Sequence, residues 1–260
     1  MFAAAGADLI PVRVRSDGLD VSQLPRGTPV KVAYLTPSHQ FPLGGVLPLA
    51  KRLQLLEWAK ETHAYVVEDD YDSEFRYEGR PIEAMQGLDR AGRVLYVGTL
   101  SKVLFPSLRL AYLVLPESLV AAMAALKLLA DHHTPTFEQE VLADFIAQGH
   151  FERHLRRMRT RNAARRKVLL EALSEQLGTR VEVVGANSGV HVVVWLRGID
   201  ASRVNELLSR ATAKGLGIYP VTPYYMRPPR RAGLLVGYAG LTEREIRDGI
   251  AVLREILETF

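Results

Sequence analysis

The sequence contains no cysteine in its 260 residues. That absence removes disulfide scaffolds, cysteine-ligated zinc, iron–sulfur clusters and thiol catalysis together. Long apolar runs are missing too. None approaches the roughly 18 residues a membrane helix needs, so no membrane partner is expected. The opening residues, MFAAAGADLIPVRV, lack a basic stretch followed by a long apolar one. A secretion signal is therefore not expected, and a cytoplasmic location is. Twenty Gly and fourteen Pro are ordinary numbers, which excludes collagen-like and low-complexity chains. Charge of one sign is also scarce: 33 Lys and Arg against 29 Asp and Glu give a net charge of +4. That is a weak tilt toward anionic partners and nothing more specific.

What is present is an ordinary globular mixture, 48% hydrophobic and 24% charged. The length suits one large or two modest domains. Ile10–Val14 and Lys31–Thr36 read as short strands. Pro48 opens a helical pattern with Leu49, Leu53, Leu56 and Ala59 on one face. Short apolar runs follow at Ala64–Val67, Arg93–Val97 and Arg109–Leu115. Buried runs alternating with helices suggest an α/β fold with a mixed, mostly parallel sheet and flanking helices. After Pro116 the pattern changes. Leu119–Leu129, Phe137–Ile146 and Phe151 to about Leu177 read as helices. Val181–Val184 and Val190–Leu196 read as strands, and Ser202–Lys214 and Glu243–Leu257 as closing helices. The expected division is residues 1–149, an α/β part, and 150–260, a smaller α+β part.

Chemistry first shows at Glu68-Asp69-Asp70-Tyr71-Asp72-Ser73-Glu74, with three Asp and two Glu in seven residues. The segment ends an apolar strand, where ligands of open α/β sheets bind. A solvated acidic turn is the plain reading. Asp70-x-Asp72 after a strand also suits a Mg²⁺ loop of the aspartyl-phosphate kind. An EF-hand fails, because Phe75 stands where that loop needs glycine. A third reading is a carboxylate that holds a cationic ring nitrogen. The segment alone does not choose.

The strand Val94–Val97 runs into Gly98-Thr99-Leu100-Ser101-Lys102, with Arg109 shortly after. A lysine just past a strand, among hydroxyls and apolar residues, is unusual company for a surface lysine. Burial would favour its neutral amine, a nucleophile toward carbonyls. Thr99 and Ser101 offer hydroxyls, and Arg109 offers a planar fork for phosphate. An amine nucleophile, a phosphate site and an upstream acid together describe a pyridoxal phosphate (PLP) pocket.

Thr36-Pro37-Ser38-His39-Gln40-Phe41-Pro42-Leu43-Gly44, the string Glu68 to Phe75, and Gly98 to Lys102 with Arg109 resemble the aminotransferase-like domain of MocR-type regulators. Those are GntR-superfamily transcription factors that join a winged-helix DNA-binding domain to a fold-type-I PLP domain. The resemblance runs from about residue 7 to the C-terminus and takes in Leu155-Arg156-Arg157-Met158-Arg159 and Leu235-Val236-Gly237-Tyr238-Ala239. It implies a class I/II, fold-type-I PLP-dependent transferase fold with a smaller C-terminal domain. It implies Lys102 as the Schiff-base lysine, Asp69 as the acid paired with the pyridinium nitrogen and Tyr71 as the donor to the phenolic oxygen. Thr99 and Arg109 look like phosphate ligands, and Ser101 is a further candidate. No metal is expected on this reading. It further implies a small amino compound as ligand or substrate, a homodimer, and DNA contact only through a winged-helix domain that this chain does not contain. The expected role is an amino-compound sensor. The alternative is a free-standing aminotransferase moving an amino group from an amino acid to a 2-oxo acid.

Three departures from the general aminotransferase pattern stand out. Phe41 replaces the Asn of the Asn-Pro-x-Gly turn. The late strand Leu234-Leu235-Val236-Gly237-Tyr238 contains no Arg to clamp a substrate carboxylate, although Arg227, Arg230 and Arg231 lie just upstream. The family's winged helix and the first part of its PLP domain precede the portion matching Ile10, so sheet edge and apolar core are expected to lie exposed.

Between Arg153 and Lys167 stand seven Arg beside the apolar stripe Phe151, Leu155 and Met158. A solvated helix bridging the two parts is the plain reading; a sequence-independent footprint for DNA phosphates is the sharper one. His132-His133 reads as a loop, and Trp58 and Trp195 read as core. Tyr224-Tyr225-Met226-Arg227-Pro228-Pro229 is a stiff aromatic loop, read either as bordering the substrate side of the pocket or as an inert surface loop. Gly215-x-Gly217 reads as a helix stop.

Overall fold

The acidic string is divided: Glu68 to Asp70 continue their strand, and Tyr71 to Glu74 bend and turn away from it. In a computed structural model, which describes residues 2–79 and 82–260, the chain first makes a small hairpin of β1 (Val14–Arg15) and β2 (Gly18–Leu19). It then builds a four-stranded sheet from β3 (Val32–Leu35), β4 (Tyr65–Asp70), β5 (Val94–Thr99) and β6 (Ala111–Val114), in that spatial order. The β3, β4 and β5 strands run parallel, and β6 is antiparallel to β5. The expected strand over Ile10–Val14 is not formed. Only Val14 pairs, because the hairpin is two residues long, and Leu9 and Ile10 lie exposed.

Helix α1 (Leu49–Thr62) returns the chain from β3 to β4, the crossover that parallel strands require. Its buried face is Arg52, Leu55, Trp58 and Ala59. The face expected from the sequence is thus rotated: Leu49 and Leu53 are about half exposed. The reason is Arg52, which counts as polar in any periodicity yet is fully buried. Its guanidinium donates to the carbonyls of Leu47, Pro37 and Glu83 at 2.8, 3.0 and 2.9 Å. Three carbonyls replace the water the charge gives up. Leu35, Leu55, Trp58, Val66 and Val94 form the core between α1, the short α2 (Met85–Leu88) and the sheet.

Helices α3 (Glu117–Asp131) and α4 (Phe137–Ala147) bury no residue, and every residue of the edge strand β6 is exposed. Leu126, Leu128, Leu129 and Phe137 face outward. The exposed sheet edge and apolar faces expected from the resemblance are therefore present.

The long helix α5 (His150–Leu177) leads to a second sheet. That sheet comprises β7 (Val181–Val184), β8 (His191–Asp200), β9 (Tyr219–Pro220) and β10 (Arg231–Gly237), in the order β7-β8-β10-β9 with all pairs antiparallel. On one face Val192, Val194 and Leu234 pack against α5, α6 (Val204–Ala213) and α7 (Glu243–Glu258). Thr242 and Glu245 close a reciprocal capping box at the start of α7. On the other face Val193, Trp195 and Val221 pack with Tyr225 and Leu235. Trp58 and Trp195 are both core, as expected. Among the described residues, no helix is long and apolar enough to cross a membrane.

Helix α5 touches both halves of the chain. Its first turns press Phe151, Leu155 and Met158 on Phe75 and Val103, and His154 reaches the Val103 carbonyl at 2.8 Å. The loop after β5 is thereby held from below. The β7–β8 turn docks against the loop after β4: Gly189 donates to the Phe75 carbonyl at 2.7 Å, and Tyr77 donates its backbone N–H to the Asn187 carbonyl at 3.1 Å.

Candidate functional site

Side chains alternate across a strand, so the acids of β4 part company. Glu68 turns toward α1, fully buried. It accepts the backbone N–H groups of Met85 and Gln86, both at 2.9 Å, and stands 3.7 Å from the Arg52 guanidinium. Asp70 accepts the hydroxyls of Tyr96 and Ser73, both at 2.7 Å. Asp72 faces His39 at 2.8 Å. Asp70 and Asp72 thus have separate partners, and the Mg²⁺ loop left open by the sequence is not what their geometry describes.

Asp69 turns the other way and accepts the hydroxyl of Tyr34 from β3. Together with Tyr71 and Lys102 it lines a cavity of about 950 Å³, whose wall also includes Thr36, Phe41 and Met226. The cavity runs along β3 and the segment before it, and one end of it reaches the carboxyl ends of β3 and β4, the expected place for a ligand of such a sheet. Lys102 also borders a second cavity, of about 900 Å³, with Ser101, Met158 and Tyr238. Its side chain is exposed, not buried as the sequence suggested. The surrounding apolar residues Leu100 and Val103 take the buried places in that loop, and the lysine between them reaches outward.

The structure therefore brings together Asp69, Tyr71 and Lys102, with Ser101 beside Lys102. Thr99 and Arg109 line neither cavity. The Thr99 hydroxyl accepts the backbone N–H of Ser101 at 3.2 Å and shapes the turn. Arg109 is exposed, in the left-handed region at φ 53°. Of the late arginines, Arg231 pairs with Glu182 at 2.7 Å and lies over the Trp195 ring. Arg227 and Arg230 are exposed, and none of the three lines the cavity of Lys102.

Sequence reasoning gave no role to His39 and did not single out His191. Both are buried beside Tyr71. His39 Nδ1 lies 3.0 Å from the Tyr71 hydroxyl, and the Tyr71 and His191 rings stack at 6.4 Å. Burial, then the charges on His39 and Lys102, pulls His191 down to about 4; its carbonyl partner, Pro42, acts the other way. Burial, then the Asp72 charge, pushes the Tyr71 phenol well above its ordinary value. Phe41, which stands where the general pattern has Asn, packs edge-on against Tyr71, His191 and Tyr224. Of the aromatic loop at 224–229, Met226 lines the cavity, and Tyr224 packs on Phe41 beside it.

Residues 1–253 match the family model described as aminotransferase class I and II. The chain is 41% identical over 254 residues to the uncharacterized HTH-type transcriptional regulator YhdI of Bacillus subtilis, covering 98% of this chain and 54% of that protein. It is 38% identical to the probable rhizopine catabolism regulatory protein MocR of Rhizobium meliloti, over 96% of this chain and 50% of that protein. Thus it spans about half the length of these relatives. Among solved structures it is similar to the kynurenine aminotransferase of Pyrococcus horikoshii, with a TM-score of 0.86 and 31% identity over 96% of this chain and 63% of that one. The sheet order, the helices around it and this likeness define a fold-type-I architecture, and the chain belongs to the PLP-dependent aminotransferase class I and II family, with MocR-type regulators among its relatives.

Proposed function

We propose that this chain is the PLP-binding, amino-compound-sensing part of a MocR-type transcriptional regulator. The observation that carries the reading is the shared cavity of Asp69, Tyr71 and Lys102 at the ends of parallel strands. An acid, a phenol and a primary amine on one wall fit the ring nitrogen, phenolic oxygen and aldehyde of the cofactor. Lys102 would anchor it covalently, Asp69 would face the ring nitrogen and Tyr71 the phenolic oxygen. Thr99, Ser101 and Arg109 are proposed for the phosphate on the strength of the sequence motif. When bound, the cofactor supplies an electron sink for the carbon that bears the amine.

The chain's own groups divide the work. Tyr34 fixes the Asp69 carboxylate by a hydrogen bond, so the anion is aimed before a ligand arrives. An anion at that place keeps a proton on a ring nitrogen. Tyr71 stays a neutral phenol and so remains a hydrogen-bond donor. Lys102, with its amine free, would be the base at the cavity to move a proton.

The arginines favour sensing over turnover. No Arg is among the described residues that line the cavity, and Arg231 is held by Glu182. A carboxylate clamp of the transaminase kind is not seen there. The alternative, a free-standing aminotransferase, is supported by the likeness to solved aminotransferases such as that of Pyrococcus horikoshii. A homodimer, a cytoplasmic location, DNA contact through a separate winged helix and a division of the chain near residue 150 complete the proposal.

The test is turnover. With PLP present, a panel of amines and amino acids is added, and the visible band and the 2-oxo acid are followed. A sensor changes its band yet forms no more than one equivalent of 2-oxo acid. Multiple turnovers, lost in Lys102→Ala, would establish the aminotransferase instead.

A further inference from the structure

The His39–Asp72 contact lies beneath the candidate site, and both side chains are 1% exposed. His39 Nδ1 stands 2.8 Å from Asp72 Oδ2, and Nε2 stands 3.3 Å from the carbonyl oxygen of Gly185 in the β7–β8 turn. A carbonyl only accepts, so the hydrogen bond to Gly185 requires a proton on Nε2. A carboxylate likewise only accepts, so the contact with Asp72 requires a proton on Nδ1. With Asp72 ionised, both conditions hold together only in the imidazolium; burial pushes the Asp72 carboxyl up, and the contact with His39 pulls it back. Asp72 supplies the opposite charge that a buried cation needs. Its other oxygen, Oδ1, has no hydrogen-bond partner among the described residues.

The Tyr71 hydroxyl completes the arrangement, 3.0 Å from the same Nδ1. An imidazolium nitrogen has no lone pair to accept the tyrosine proton. The hydroxyl oxygen therefore shares the Nδ1 proton with Asp72, and its own proton is free to turn to the cavity. We propose that His39 and Asp72 are positioning residues: as a buried imidazolium–carboxylate pair, they fix the Tyr71 hydroxyl with its proton aimed into the cavity of Asp69 and Lys102. Its recipient there is an anionic oxygen, which the proposed cofactor carries on its ring.

The surroundings agree. Facing the pair are Asp70, Tyr71 and Glu74 from β4 and the loop after it, Tyr77 further along that loop, His191 on β8 and Tyr238 after β10; Lys102 acts on His191. His191 donates Nε2–H to the Pro42 carbonyl at 3.1 Å and stays neutral, so it does not compete for Asp72. Gly189 packs so closely that an added Cβ would lie 2.3 Å from His39 Cε1 and 2.4 Å from Asp72 Oδ2. Backbone thus walls the pair off from water on that side.

The first test needs no cofactor. In the chain labelled with ¹⁵N-histidine, the His39 ring nitrogens are assigned by correlation to their own backbone at neutral pH. Both are expected to carry protons. One bare nitrogen in the wild type overturns the proposal, whether or not PLP binds. The second test rests on the cofactor reading and uses the pH midpoint of the visible band with PLP present. Losing one hydrogen-bond donor to an anionic oxygen raises that midpoint by about one pH unit. Tyr71→Phe and Asp72→Asn are each expected to do so, and the double variant to move no further. Additive shifts, or a midpoint unmoved by Asp72→Asn, overturn it. His39→Gln, which keeps a donor but not the charge, is expected to resemble Asp72→Asn.

Discussion

The guanidinium of Arg52 and the carboxylate of Glu68, both fully shut off from solvent, stand 3.7 Å apart beneath the strand that carries Asp69. Burial pushes the Glu68 carboxyl up, while two backbone donors and Arg52 pull it back. Three carbonyls around α1 take up the guanidinium donors. The pair thus joins the α1 crossover, the Pro37 segment and the start of α2 to β4. Removing one partner leaves a lone charge inside. Arg52→Met is expected to cost about 3–5 kcal/mol in denaturant unfolding, and adding Glu68→Gln should recover part of that loss. A single variant as stable as the wild type would show that the pair holds nothing together.

The pH dependence of stability should carry the mark of His191. Its folded value is pulled down to about 4, below an unfolded value near about 6.5. The unfolded chain therefore takes up this proton first as pH falls. The contribution is complete above about pH 6.5 and is lost progressively toward about pH 4, amounting to about 3 kcal/mol. Urea unfolding at pH 7 and pH 4.5 should show a larger difference for the wild type than for His191→Phe. Equal differences would contradict the assignment.

Gly189 is the residue whose side chain would collide with the His39–Asp72 pair, and it sits at φ 83°. Gly189→Ala combines a strained backbone with an overfilled site. A cost of about 1–3 kcal/mol is expected, read from thermal unfolding. Loss of the doubly protonated His39 signal should accompany it.

The basic stretch of α5 divides into working and free arginines. Arg166 donates to the Ala186 carbonyl and pairs with Glu78. Arg159 donates to the Glu74 carbonyl at 2.7 Å. Arg157 is exposed and forms no ion pair among the described residues. Arg166→Ala is expected to cost about 1.5–3 kcal/mol, and Arg157→Ala less than about 0.5 kcal/mol. Equal losses would mean that α5 does not tie the loop after β4 to the β7–β8 turn.

The legible features were those set by short stretches of chain. The strand over Val94–Val97 and the paired regular elements of the C-terminal half follow from local apolar patterning. The acid, the tyrosine and the lysine stand at or just past strand ends, and the motifs around them carried the resemblance that singled them out. What escaped depended on distant partners. Arg52 looks like a solvent-facing residue until the Pro37 and Glu83 carbonyls are folded around it. Lys102 looked buried because its flanking residues are, yet they occupy the interior and leave it outside. His191 meets the Pro42 carbonyl across 149 positions, a pairing no periodicity encodes. His39 stood inside a recognised motif, but its role came into view only with Asp72 and Gly185 on either side.

The account rests on Lys102 being the amine that meets a carbonyl in the cavity of Asp69 and Tyr71. The direct measurement is to add stoichiometric PLP, reduce with borohydride, digest the chain and locate the adduct by mass spectrometry among its seven lysines. The account predicts one modified peptide, carrying Lys102, whose yield falls in Asp69→Ala. Label spread over Lys31, Lys60, Lys127 and Lys214, or no label on Lys102, would contradict it.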